Sequence, residues 1–165
     1  MRNYHIENVS KNDMDFILKQ NQKNIPAVSN LTTDLFYKFL ELSDYFKVIK
    51  CQEDLVGFLI ALLPNKHYDS INYKWFNSRF TSFIYVDRIV ISEGNQNKRF
   101  GSFFYNDIKS AYESKVSHIA CEVNLKPFNE QSIIFHKRYG FEEVGQQKTD
   151  NNKKLVSLQM YKFED

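Results

Sequence analysis

The stretch from Phe83 to Val144 constrains this chain most, because it alternates strand and helix patterns around one basic, glycine-punctuated loop. It opens with the apolar run Phe83-Ile-Tyr-Val-Asp-Arg-Ile-Val-Ile91, which reads as a buried strand. Gly94-Asn-Gln-Asn-Lys-Arg-Phe-Gly101 follows. A helix from about Gly101 to Ser114 then places Phe104, Ile108, Ala111 and Tyr112 on one face. His118-Ile-Ala-Cys-Glu-Val123 supplies a second strand, so residues 83–123 predict a right-handed parallel crossover. Backbone N–H groups at a helix N-terminus, flanked by Lys98 and Arg99, make a seat for a phosphate or pyrophosphate. Taken alone, the stretch from Gln96 to Gly101 reads equally as an ordinary connection with solvated charges.

Elsewhere the chain alternates short elements without repeats, low-complexity tracts or linkers, and reads as one domain over 1–165. Tyr4 to Val9 reads as a first strand. Asn12 or Asp13 can cap a helix with Met14, Ile17 and Leu18 on one face. Thr32 or Thr33 caps a second helix that buries Leu35, Phe36, Phe39 and Leu40. Tyr45 to Cys51 and Leu55 to Leu63 form a hairpin across a Gln-Glu-Asp turn. The aromatic and polar insert from Asn65 to Phe80 shows no clean period and reads as a long loop. A helix from about Glu130 to Tyr139 ends at Gly140, and Phe141 to Gln146 pairs with Leu155 to Phe163. This order predicts an α/β fold with one mixed sheet and helices on both faces.

Composition narrows the function. A 165-residue chain buries roughly 70% of its unfolded surface without staples. A net charge of +2 is too small to point to nucleic acid or an anionic membrane. No stretch approaches 18 apolar residues, and the first residues lack the apolar core of a signal peptide, so a cytoplasmic protein is expected. Cys51 and Cys121 sit in apolar runs and read as reduced core thiols; no His, Cys and carboxylate cluster has metal-ligand spacing. The absence of a Gly-Lys-Ser/Thr loop weighs against a nucleotide-binding protein.

The loop resembles the pyrophosphate signature Gln/Arg-x-x-Gly-x-Gly/Ala of the GNAT superfamily of acetyl-CoA-dependent N-acetyltransferases. Gln96 and Gly101 match its first and last positions, while Arg99 stands where the family has its middle glycine. Asn129-Glu-Gln-Ser-Ile-Ile-Phe-His-Lys-Arg-Tyr-Gly-Phe141 is similar to the family's Asn-x-x-Ala/Ser…Tyr…Gly-Phe element. The segments Tyr68–Phe76, Tyr85–Ile91 and Glu122–Asn124 through Phe135-His136 resemble a bacterial group of predicted acetyltransferases. The likeness covers the chain from about Asn24 onward and is nearly silent on the acceptor.

The resemblance implies a mostly antiparallel sheet of six to seven strands, about four helices, and a parallel pair that splays near Asn124. It implies acetyl-CoA as co-substrate, with the backbone of Ile89, Val90 and Ile91 pairing with the pantetheine arm. The pyrophosphate would meet the amides of Gln96, Asn97, Lys98, Arg99, Phe100, Gly101 and Ser102. Asn124, Asn129, Ser132 and Phe135 would add cofactor contacts, although Asn129 is equally the N-cap of the helix that follows. The acceptor would be an amine of a small molecule or of a protein or peptide. An acyl-CoA-binding module without turnover is the alternative reading.

Acetyl transfer needs a neutral amine, and an alkyl ammonium has a pKa near ~10, so a carboxylate commonly takes its proton. Glu122 is the first candidate, since it lies where the sheet should open. Asp87 is the second, a charge inside an apolar strand. For both, an ion pair with Arg88, Lys98 or His118 is the alternative. His136 stands where many family members carry the tyrosine that protonates the departing thiolate, and either that role or a plain hydrogen bond suits it. Tyr68, Tyr73, Trp75 and Phe76 could wall an acceptor pocket; closing the core or a homodimer contact are the alternatives.

Overall fold

The structure, a computed structural model, describes residues 3–164. Seven strands form one mixed sheet in the order β1-β2-β3-β4-β5-β7-β6. They are β1 (Tyr4–Asn8), β2 (Tyr45–Cys51), β3 (Asp54–Leu62), β4 (Ile84–Ile91), β5 (His118–Lys126), β6 (Glu142–Thr149) and β7 (Lys154–Lys162). The helices are α1 (Met14–Lys23), α2 (Thr33–Leu42), α3 (Ile71–Asn77), α4 (Phe100–Tyr112) and α5 (Glu130–Tyr139), one more than expected. The chain divides into two compact units. One joins the chain up to Leu62 with Arg88–Ala111; the other joins Leu63–Asp87 with the chain from Tyr112 on. β4 contributes to both.

In the first unit, Ser10 opens the α1 region with a short 3-10 turn, its N–H and O–H both donating to Asp13 Oδ2 at 2.7 and 2.9 Å. Asp13 is the N-cap residue of α1, yet its carboxylate turns back to Ser10. Thr32 caps α2 by accepting from the Leu35 N–H at 3.2 Å, and Phe36 and Phe39 are wholly buried behind it. The β2–β3 turn is tighter than expected. Cys51 pairs with Asp54, leaving only Gln52 and Glu53 in the loop, and Gln52 takes the left-handed φ of 59° such turns need. On α4, Phe104, Tyr105 and Ile108 are buried. Asp107 ties that helix to β2 by accepting from Tyr45 Oη at 2.8 Å and Lys47 Nζ at 2.7 Å.

Gly57 of β3 lies so close to β4 that a Cβ there would meet the Val90 carbonyl oxygen and Ile91 Cδ1, each at 2.7 Å. The isoleucine tip can move, but the carbonyl belongs to the strand itself. Gly57→Val should therefore destabilise the protein by about 2 kcal/mol, lowering the melting midpoint by roughly 4–8 °C. An unchanged midpoint would show that β3 can draw away.

The second unit holds the largest departure from the sequence reading. Residues 65–80 are not a loop throughout but contain α3, capped by Ser70, whose hydroxyl accepts from the Tyr73 N–H at 3.3 Å. Seven residues with polar neighbours are too short for a helical period to stand out. Trp75 of α3 lies over Gly145 of β6, where a Cβ would come within 2.7 Å of the indole. Gln147 donates to Asn72 Oδ1 at 2.9 Å along the same face. β5 pairs antiparallel with β7, and β7 with β6. The β6–β7 turn carries Asp150, Asn151 and Asn152 at positive φ, the residue types that tolerate it. The strand β6 extends to Thr149, beyond the expected Gln146, because polar residues pair through their backbones as well as apolar ones.

Candidate active site

In the first unit, residues 92–99 turn from β4 into α4. The Ser92 N–H donates to the Val56 carbonyl at 2.9 Å, and the Asn95 N–H to the Ser92 carbonyl at 3.0 Å. Asn95 then accepts from Lys98 Nζ at 3.1 Å. Asn97 and Arg99 adopt left-handed backbone, with φ of 60° and 68°. Arg99 thus keeps the conformation for which glycine is suited at the position where it departs from the pyrophosphate signature, at a cost of roughly 1 kcal/mol. The Phe103 N–H donates to the Arg99 carbonyl at 3.0 Å, closing the first turn of α4. The N–H groups of Phe100, Gly101 and Ser102 therefore precede the first intrahelical donor and project from the helix end. Phe100 is buried, so only its backbone belongs to that end. Gln96, Asn97, Lys98 and Arg99 are exposed.

In the second unit, β4 and β5 pair in parallel through Ile84 with Ile119, Tyr85 with Ala120 and Val86 with Cys121. That ladder then ends, although both strands continue. Asp87 and Glu122 are the next residue on each strand, and both are half-buried. Alternation along a strand puts Tyr85 and Asp87 on one face, and Ala120 and Glu122 with them. The Tyr85 hydroxyl donates to Glu122 Oε2 at 2.7 Å, and the Tyr68 hydroxyl donates to Asp87 Oδ1. Burial pushes the Tyr85 phenol well above its ordinary range, and the charges of Glu122 and Asp87 push it further. It stays protonated and acts as a donor. Two of the residues expected as ion-pair partners also meet other groups. Arg88 donates to Asn21 Oδ1 and to the carbonyl and hydroxyl of Ser29, at 2.8, 3.0 and 3.1 Å. His118 Nδ1 meets Ser117 Oγ at 2.7 Å.

No family model matches the chain, and no curated protein matches it. Solved structures do. Ard1 from Thermoplasma volcanium superposes with a TM-score of 0.79 at 15% identity, covering 98% of this chain and 99% of that one. Arabidopsis thaliana Naa50, in complex with the bisubstrate analogue CoA-Ac-MVNAL, gives 0.73 at 15% identity over 97% and 99%. The ribosomal-protein-S18-alanine N-acetyltransferase from Escherichia coli gives 0.70 at 11% identity over 96% and 93%. The fold is that of the GNAT acetyltransferases.

Within this GNAT fold, the parallel ladder ends earlier than the sequence suggested. The opening was expected near Asn124, but pairing with β4 stops after Cys121, and Asn124 is buried opposite Val156 of β7. Asn129 is the N-cap of α5, its side chain accepting from the Ser132 N–H at 3.2 Å. The left-handed Gly140 ends that helix as expected. His136 of α5 is 3% exposed, and its ring packs against Phe135 and Phe141 at 5.0 and 5.1 Å. Its Nδ1 lies 2.7 Å from the Ser132 carbonyl. A carbonyl only accepts, so Nδ1 carries the proton of the neutral ring and Nε2 carries none. Burial lowers the His136 pKa to about 4. Near neutrality this imidazole is uncharged.

Two aromatics of the insert are buried. Tyr73 is 1% exposed, its hydroxyl donating to the Leu63 carbonyl at 2.7 Å and accepting from the Lys66 N–H at 2.8 Å. Phe76 is wholly buried against Phe83 and Tyr85. Both close the core over the start of β4. Tyr68 and Trp75 remain half-buried. Tyr85 was missed as the partner of Glu122. The available signal was its place two residues before Asp87, on the same strand face, since a buried phenol seeks a partner. Among the described residues, no group of three or more His, Cys, Asp or Glu side chains could hold a metal ion. No helix there is long and apolar enough to cross a membrane.

Proposed function

We propose that this protein is an N-acetyltransferase that moves an acetyl group from acetyl-CoA to a primary amine by direct attack. The observation that carries the reading is the end of the β4–β5 ladder, where two phenol-held carboxylates share one strand face. The GNAT fold supports acetyl-CoA as the donor, and so does the basic turn at the start of α4. In this reading the pyrophosphate rests on the amides of residues 96–102, with Lys98 and Arg99 offsetting its charge. The pantetheine arm pairs with the backbone of Ile89, Val90 and Ile91. A carboxylate at 87 or 122 takes the ammonium proton, the amine attacks the thioester carbonyl, and CoA leaves as a thiolate. With a thiol pKa of roughly 8.5, that departure needs little assistance near neutrality. His136 contributes packing and an acceptor nitrogen.

The acceptor is the amine of a peptide N-terminus or of a small molecule. Naa50 was captured with a peptide-bearing analogue, which favours including peptides in any screen. The direct test is release of free CoA from acetyl-CoA across a panel of peptides, polyamines, amino acids and aminoglycosides. Turnover with at least one amine is the expected result. A second reading, an acyl-CoA-binding module without turnover, draws on the unprotonated Nε2 of His136; CoA binding without turnover on any acceptor would favour it. Gly101→Val should weaken CoA binding at least tenfold, about 1.4 kcal/mol, by placing a branched side chain where the pyrophosphate approaches. Calorimetry giving equal affinities would remove the loop from the cofactor site.

A further inference from the structure

We infer that Tyr68 is a positioning residue for Asp87, and that this pair, rather than Tyr85 with Glu122, takes the proton from the acceptor amine. The inference rests on the acetyl-transfer reading above. Both carboxylates accept from a phenol, but the two phenols are held differently. Tyr85 is wholly buried, with Tyr73 at 5.4 Å and Phe76 at 5.9 Å, and its hydroxyl is committed to Glu122. Glu122 is thereby tied into the core. Tyr68 comes instead from residues 63–70, which form neither helix nor strand. Several contacts fasten that segment to α3, among them the Tyr73 hydroxyl donating to the Leu63 carbonyl at 2.7 Å. The Asn65 N–H donates to Asn77 Oδ1 at 2.8 Å, and the Lys66 N–H donates to the Tyr73 hydroxyl at 2.8 Å. The Tyr68 ring then stands edge-on to Tyr73 at 5.7 Å, and its hydroxyl reaches Asp87 Oδ1.

Holding Oδ1 fixes the plane of a short carboxylate and so the direction of Oδ2. Asp87 also lies two residues before Ile89 on the strand proposed to carry the pantetheine arm. The transfer balances. The ammonium N–H bond breaks as an O–H bond forms on Asp87 Oδ2, and the freed nitrogen pair attacks the thioester carbon. The C–S pair departs with sulfur, which takes a proton from the new amide nitrogen through water. Ionisable groups near Asp87 include Tyr68 from the connecting segment, Tyr85 from β4 itself and Glu122 from β5, with Tyr73 of α3 behind Tyr68.

The test measures kcat, KM and CoA affinity, with an amine found in the screen, in the intact protein, in Tyr68→Phe, Tyr85→Phe and Asp87→Asn, and in Tyr68→Phe combined with Asp87→Asn. Tyr68→Phe should lower kcat about tenfold and leave CoA affinity unchanged. In the Asp87→Asn background the same change should cost nothing further, because a positioning residue acts only through the group it holds. Tyr85→Phe should lower kcat less than Tyr68→Phe. An undiminished kcat in Tyr68→Phe, or an equal loss in the Asp87→Asn background, overturns the positioning role, and a larger loss in Tyr85→Phe assigns the base to Glu122. Those outcomes require turnover and overturn this inference alone, whereas the absence of turnover on any amine overturns the acetyl-transfer reading and this inference with it.

Discussion

Replacing Asp87 with asparagine should lower kcat by about 10²–10³ while leaving the fold and the CoA affinity intact. Asparagine has nearly the same shape, and its amide oxygen can still accept from Tyr68, so the packing at the ladder end is kept. It cannot take a proton near neutral pH. What remains is the minor fraction of amine already deprotonated in solution, plus the alignment provided by the cofactor grip. Because the base acts only as the transition state is reached, kcat and kcat/KM should fall together. Raising the pH toward the amine's own pKa should recover part of the rate in the variant. Glu122→Gln should lose less than about tenfold, since Tyr85 holds the replacement amide as it holds the carboxylate. Steady-state CoA release at saturating amine decides between them: a larger loss in Glu122→Gln would return the base to β5.

The second large effect concerns stability in acid. His136 titrates near 4 in the folded protein because burial disfavours the imidazolium, against an unfolded value of 6.5. Above about pH 6.5 both states hold the neutral ring and the group contributes no pH dependence. As the pH falls from there toward 4, the unfolded chain takes up the proton and the folded one does not, so stability is lost across that window. The full shift corresponds to about 3 kcal/mol. His136→Phe removes the titration, keeping an aromatic ring between Phe135 and Phe141 at the cost of the hydrogen bond to Ser132, about 1 kcal/mol. Urea unfolding at neutral pH and near pH 4.5 should therefore show the variant slightly weaker in the first condition and stronger in the second. Parallel pH profiles would mean that the imidazole is charged, or solvated, in the native state.

Particular residues show why some of this was legible in the sequence and some was not. The turn at 94–101, the cap at Thr32 and the left-handed Gly140 are local features, written in residues whose conformational preferences survive in any context. The βαβ pattern from 83 to 123 was equally plain, since strand and helix periods differ and each element is long. Helix α3 was lost because its two buried aromatics, Tyr73 and Phe76, make only one repeat. The carboxylates at 87 and 122 stood out as charges in apolar strands, but their partners did not. Arg88, adjacent in sequence, points to the opposite face and is used by Ser29 and Asn21, whereas Tyr68 arrives from nineteen positions away. Sequence neighbours on a strand face apart, so an adjacent charge says little about which side chain reaches a carboxylate from elsewhere in the chain. The tautomer of His136 was equally out of reach, because it follows from a carbonyl four residues earlier on the same helix.

The lone tryptophan has a spectroscopic consequence. Trp75 is the chain's one indole, and it lies against Gly145 with the Arg79 guanidinium 4.3 Å from its ring. All three residues belong to the second unit. Emission excited at the red edge of aromatic absorption therefore follows the packing of α3 on β6, while the first unit stays dark. Circular dichroism registers helices and strands of both. Recorded together during denaturation, the two signals distinguish a chain that melts in one step from one whose halves come apart separately, with no label attached.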